Sequence, residues 1–181
     1  LRLESIEVTI DGPSNIHDRF RATRGGGGTF QTILRNVCRL VLVPGHPKVT
    51  VRCNITRENI DSIPMLIREL ASRELQRHLS LYFAPVFPWG NDVSRINVPP
   101  DIVARCEMDW FVTMIEEGFR PDLLPQRSRT SCVAINPHAE VVAPDGAIYK
   151  CTEHPLVPAY AVGADVSVGT LSSEALNLCP V

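Results

Sequence analysis

Cys132 and Cys151 are separated by thirteen residues, Gly146 and four further residues, with Pro144-Asp145-Gly146 between them. That tripeptide is turn chemistry, so a hairpin would bring the two thiols toward one another. Soft thiolates suit an iron–sulfur cluster or zinc. Such a site takes about four ligands, and Cys179 is the one obvious local third. Spacing does not choose among iron–sulfur, zinc and idle thiols. A second group is Asp11-Gly12-Pro13 followed by His17-Asp18-Arg19-Phe20-Arg21. As chemistry, it is a polar rim at a strand end, with Arg21 available to a carboxylate; as structure alone, it is a polar surface turn. Gly25 to Gly28 precedes Thr29 and invites a phosphate cradle at a helix start. It lacks the Lys-Ser/Thr of a P-loop and the strand-to-GxGxxG spacing. A flexible loop is expected there.

These residues need elements to position them. The alternation at Ser5 to Ile10 predicts a strand, followed by a loop through the glycine run. Thr29 is expected to cap a helix whose apolar face is Phe30, Ile33, Leu34, Val37, Leu40 and Val41. Pro44-Gly45 ends it. A second strand over Lys48 to Asn54 puts Val49, Val51 and Cys53 on one face. A helix from about Glu58 carries Ile60, Ile63, Leu66, Ile67 and Leu70, with Pro64 tolerable only near its first turn. Leu79 to Phe83 is a third strand.

Strand–helix–strand–helix–strand at this spacing implies parallel strands, right-handed crossovers and both helices on one face. Chemistry in such sheets gathers at the C-terminal strand ends. A helix follows from about Pro100 to Glu117, with Ile102, Val103, Cys106, Trp110, Met114 and Ile115 apolar. Residues 119–131 form a polar link. Val133 to Asn136, Val141-Val142 and Ala147 to Tyr149 are expected as short strands, the last two a hairpin.

Bulk properties exclude several classes. Of 181 residues, 44% are hydrophobic and 21% charged, values of a globular domain rather than a disordered chain. Net charge is −2 and the pI about 6.2, so no basic field exists to hold nucleic acid. The longest apolar runs, such as Leu40 to Pro44, fall far short of the roughly 20 residues that span a bilayer. No signal peptide is visible and a cytoplasmic location is expected. The six cysteines do not make the dense framework of small secreted domains. Cys38, Cys53 and Cys106 lie in apolar periodic segments and read as small core hydrophobes. The abrupt start on a strand suggests a piece of a longer polypeptide.

Ile6-Glu7-Val8-Thr9-Ile10-Asp11-Gly12-Pro13 with His17-Asp18-Arg19-Phe20-Arg21 resembles the fourth barrel strand and following loop of radical S-adenosylmethionine enzymes. The pattern there is [S/T]-x-D-G-P, then H-D-x-x-R, a glycine-rich stretch and the Thr-Phe found at Thr29-Phe30. Val51-Arg52-Cys53-Asn54-Ile55-Thr56 with Asn59 resembles the next strand and helix start. Cys132 to Cys151, including Tyr149-Lys150-Cys151, resembles the start of a SPASM domain: Cys, nine to fifteen residues, Gly, four residues, Cys. Val162-Gly163 and Val168-Gly169-Thr170-Leu171 resemble the segment that follows.

The resemblance implies an α/β fold: over 1–118 the C-terminal half of a partial parallel (β/α) barrel, a linker over 119–131, and over 132–181 the start of a small auxiliary-cluster domain. It implies a peptide- or protein-modifying oxidoreductase. In such enzymes a [4Fe–4S] cluster gives one electron to S-adenosylmethionine, and a 5′-deoxyadenosyl radical abstracts hydrogen from a substrate side chain. The implied partners are that peptide or protein and an electron donor such as flavodoxin or ferredoxin, with no nucleic acid and no membrane. Implied S-adenosylmethionine contacts are Thr9 and Arg21, with Asn54 and Val86 beside them, while Asp11 shapes the turn. Implied ligands of an auxiliary iron–sulfur cluster are Cys132, Cys151 and Cys179.

Departures accompany the likeness. The CxxxCxxC loop and the glycine-glycine-glutamate strand end of the family are absent and would lie before Leu1, so this chain is not expected to be active alone. Sulfatase maturases carry an Asp base after the Cys that matches Cys151, where this chain has Thr152-Glu153. The alternative reading is a non-catalytic module that recognises a peptide or binds a cluster. A scaffold with reduced, idle cysteines is the third.

Overall fold

β1 (Ser5–Thr9), β2 (Lys48–Ile55) and β3 (Leu79–Pro85) form a three-stranded sheet in the order β1-β2-β3, with both pairings parallel. The computed structural model describes residues 3–89, 91–123, 132–136, 139–155, 157 and 166–171. Those residues divide into two compact units, one within Leu1–Phe87 and Val93–Leu123, the other within Pro88–Asp92 and Leu124–Val181.

In the first unit, α1 (Ser14–Phe20) and α2 (Phe30–Val41) lie between β1 and β2, and α3 (Ile63–Ala71) lies between β2 and β3. α4 (Pro100–Glu116) follows β3. Side chains alternate across a strand, and β2 shows it cleanly: Val49, Val51, Cys53 and Ile55 are fully buried while Thr50, Arg52 and Asn54 are half-buried. The buried set joins Leu34 and Val37 of α2, Leu66, Ile67 and Leu70 of α3, and Trp110 and Met114 of α4 in one core. Phe83 meets Trp110 with ring centroids 4.8 Å apart. The helices therefore cover one face of the sheet, as the two crossovers require. The other face carries the polar row Thr9, Arg52 and Tyr82, in register across the three strands. Arg52 donates through Nε to Asn54 Oδ1 at 3.0 Å and lies 5.9 Å above the Tyr82 ring.

Several sequence expectations need correction. The segment after β1 is not all loop, because residues 14–20 form α1. The helix expected from Glu58 opens as a 3₁₀ turn at Ile60–Ser62 and becomes α-helical at Ile63, with Pro64 in its first turn. Ile102 and Ile115 on α4 are exposed rather than buried, since the helix packs on Val103, Trp110 and Met114. Cys53 is fully buried, whereas Cys38 and Cys106 are only half-buried against the core.

In the second unit, β4 (Val141–Val142) and β5 (Ala147–Tyr149) pair antiparallel as the expected hairpin. Gly146 takes φ +86° at its turn, a conformation that glycine adopts without strain. β6 (Gly169–Thr170) adds to β5. The strand expected at Val133 to Asn136 is instead a 3₁₀ turn over Val133–Ile135. No helix among the described residues is long and apolar enough to cross a membrane.

Candidate functional site

The polar residues that follow β1 and β2 converge at the C-terminal edge of the parallel sheet. Ile10 extends the ladder, its N–H donating to Arg52 O at 2.9 Å. The chain then turns sharply at Gly12, φ +143°, where a Cβ would press on Ile16 and Ser62. This turn leaves Asp11 only 5% exposed, so its carboxylate must be satisfied from within. Oδ1 accepts from the Asn54 backbone N–H at 2.9 Å and from Asn54 Nδ2 at 3.0 Å. Oδ2 accepts from Arg21 Nε at 2.5 Å. Asp11 thus fixes the guanidinium of Arg21, at the C-terminal cap of α1, and an amide from β2 together, a larger role than shaping a turn.

Asn59 closes the arrangement from beneath. It is 1% exposed, donates through Nδ2 to Asp11 O (2.8 Å) and Asn54 O (2.7 Å), and accepts at Oδ1 from the Thr56 N–H (2.8 Å).

α1 carries the rest of the motif. The Asp11 N–H donates to His17 Nδ1 at 3.1 Å, so that nitrogen is the acceptor and the proton lies on Nε2. Nε2 then donates to Thr29 Oγ1 at 3.1 Å, and Thr29 Oγ1 donates to Arg21 O at 2.6 Å. This chain of donors holds His17 neutral. Burial lowers its pKa below the ordinary 6.5, against the opposing charges of Asp11 and Asp18.

Asp18 caps α2. Its Oδ1 accepts from the N–H groups of both Thr29 and Phe30 at 2.8 Å. The side chain of Thr29 makes no cap bond to its own helix, so the expected threonine cap is corrected. The phosphate cradle is excluded for the same reason, because a carboxylate of the chain already occupies the helix start. Gly28 admits that carboxylate: a Cβ there would lie 2.3 Å from Asp18 Oδ2.

An open cleft of about 300 Å³ lies over this network, lined by Asp11, Phe20, Arg21, Asn54, Thr56, Asn59 and Val86. Three of the four residues expected to contact a cofactor therefore share one cleft: Arg21, Asn54 and Val86. Val86 is held there by its N–H bond to Ile55 O at 3.2 Å, which continues β3 beyond Pro85. Thr9 is not among the lining residues; it stands on the polar sheet face opposite Arg52, two positions before Asp11. The Arg21 side chain is 43% exposed, and Asp11 is its only side-chain partner among the described residues.

His17, Asp18 and Asn59, quoted within the sequence motifs but given no site role there, are structural members of the site. The available signal was the crowding of His, Asp and Asn after strand ends, where loop polarity alone was the simpler reading. Cys53, behind the site, is fully buried, and desolvation pushes its thiol well above the usual range.

In the second unit, Cys132 is exposed and Cys151 half-buried, and both are free thiols. Lys150 Nζ donates to Ala139 O at 2.9 Å and Asn136 O at 3.3 Å, tying the residue before Cys151 to the segment after Cys132. Cys179, Val162 and Gly163 lie outside the described residues. Among the described residues, no three His, Cys, Asp or Glu side chains are grouped to hold a metal ion. No protein-family model matches the chain, and no match was found among curated proteins.

Proposed function

We propose that this chain is the C-terminal part of a radical S-adenosylmethionine enzyme that modifies a peptide or protein side chain. Its parallel sheet belongs to a partial barrel, and its second unit begins an auxiliary-cluster domain. The observation that carries this reading is the Asp11–Arg21–Asn54 clamp at the C-terminal edge of a parallel sheet, opening on a cleft. A guanidinium anchored through Nε retains two terminal nitrogens, the donor set that grips a carboxylate in two directions.

The residues present fit a ligand with an amino-acid end. Arg21 would hold its carboxylate, the Asn54 and Thr56 polar atoms would orient it, and Phe20 and Val86 would supply apolar contact. When bound beside a reducing cluster, such a cofactor supplies one-electron hydrogen abstraction, while the protein positions it and excludes water. For the auxiliary cluster, the described residues offer two thiolates where about four ligands are needed, so no step is assigned to it.

The test is a titration of the protein with S-adenosylmethionine. Arg21→Ala should weaken binding about tenfold or more, the loss of one charge-assisted pair. Affinity equal to that of the unaltered protein would remove Arg21, and with it the proposed cofactor site.

A further inference from the structure

The hydrogen-bond parity of the parallel sheet shows which way each backbone group points. Lys48 N–H reaches Glu4 O on the β1 side, whereas Ile55 O accepts from Val86 N on the β3 side. Even-numbered positions of β3 therefore point their N–H and C=O toward β2. Leu79, Leu81 and Phe83 point theirs away, and among the described residues β3 pairs only with β2. Pro85 has no N–H to offer and ends this edge.

That edge opens along its length onto two adjoining hollows, of about 630 and 290 Å³, which share Ser80 and Arg120. Leu79 lines the first, and Leu81 and Phe83 line the second. At the first hollow Gln76 Oε1 is buried without a hydrogen-bond partner among the described residues, and Arg77 and Arg120 stand beside it. From Leu79 to Phe83 the edge is about 16 Å long, the reach of about five extended residues.

We propose that the free edge of β3 is a docking site for an extended peptide that adds to the sheet as a fourth strand. A row of N–H and C=O groups repeating every two residues, about 6.8 Å, is matched by another polypeptide backbone. The peptide runs antiparallel to β3. Its carboxylate end lies against Arg77 and Arg120, with a backbone N–H donated to Gln76 Oε1. Glu107 and Phe111 of α4 line the far hollow and receive its side chains. The inference stands on the sheet edge alone and does not use the proposed cofactor site, so either can fail without the other.

The experiment is amide hydrogen exchange by NMR on the 181-residue chain. The probe is an acetylated hexapeptide of alternating threonine and valine ending in glutamate with a free carboxylate. Saturating peptide should slow exchange of the Leu81 and Phe83 amides about tenfold, the change expected when a free edge becomes paired. Amidating the peptide's terminus while replacing its glutamate by glutamine, or introducing Arg77→Ala with Arg120→Ala, should weaken binding at least about fivefold. Both arginines are exposed, so the variant is expected to fold. Unchanged exchange at both amides would overturn the proposal. So would protection that grows with protein concentration without peptide, which would give the edge to a second copy of the chain.

Discussion

Replacing Gly28 by alanine would set a methyl carbon 2.3 Å from Asp18 Oδ2, 2.6 Å from its Cγ and 3.0 Å from its Oδ1. A carboxylate at the end of a side chain could ordinarily swing aside. This one is pinned, because its Oδ1 accepts from both Thr29 and Phe30 N–H at 2.8 Å. Relief of the clash therefore releases the cap of α2. An N-cap is worth about 0.5–2 kcal/mol, and a hydrogen bond to a charged acceptor about 1.5–3 kcal/mol. Phe30, fully buried in the first turn, makes fraying there expensive. Gly28→Ala should destabilise the protein by about 2 kcal/mol, a fall of about 4–8 °C in Tm for a chain of this size. Urea unfolding followed by circular dichroism reads the change. Asp18→Ala should cost about as much alone, and the double variant no more than Asp18→Ala, because the clash disappears with the carboxylate. Additive losses, or a Gly28→Ala variant within about 0.5 kcal/mol of the unaltered protein, would refute the capping account.

The His17 imidazole has a folded pKa below its unfolded value, near 6.5. Below that pH the unfolded chain binds the additional proton, so stability is complete above about 6.5 and declines as pH falls through the folded pKa. Stability curves of the unaltered protein and of His17→Gln should diverge in slope as pH falls below about 6.5, and equal slopes would refute neutral His17. Asp11→Asn faces an amide donor toward Arg21 Nε and should lower stability by about 1.5–3 kcal/mol in denaturant unfolding. If Asp11 positions Arg21, the same variant should also weaken S-adenosylmethionine binding while Thr9→Ala weakens it less; the reverse order would shift the site down the polar sheet face. Trp110→Ala, which removes a ring 2% exposed against Phe83, should cost about 3–5 kcal/mol by thermal unfolding, and a loss under about 1 kcal/mol would show that the core collapses around it.

Local periodicity determined much of the fold. The alternation of Val49, Val51 and Cys53 fixes which face of β2 is buried, because strand side chains repeat every two residues whatever surrounds them. The three- and four-residue spacing of Phe30, Leu34, Val37 and Val41 does the same for α2, and Pro144-Asp145-Gly146 for the β4–β5 turn. Parallel strand direction followed from connection length.

What the sequence left open is held by contacts between distant residues. α1 has seven residues and no apolar repeat; its His17 and Asp18 are bonded to the start of α2, so its reason to be helical lies elsewhere in the chain. The same distance decides the cap of α2, where Asp18 displaces the local candidate Thr29 only because Gly28 lets it approach. Residues 133–135 carry a short apolar run that fits strand or turn, and no described strand is placed to pair with it. Asp11 and Asn54 were each legible as polar residues at a strand end. That the Asp11 carboxylate binds Asn54 depends on strand pairing across 43 residues of sequence. That it also binds Arg21, ten residues on, depends on the turn and helix between them; together they satisfy a carboxylate that is 5% exposed.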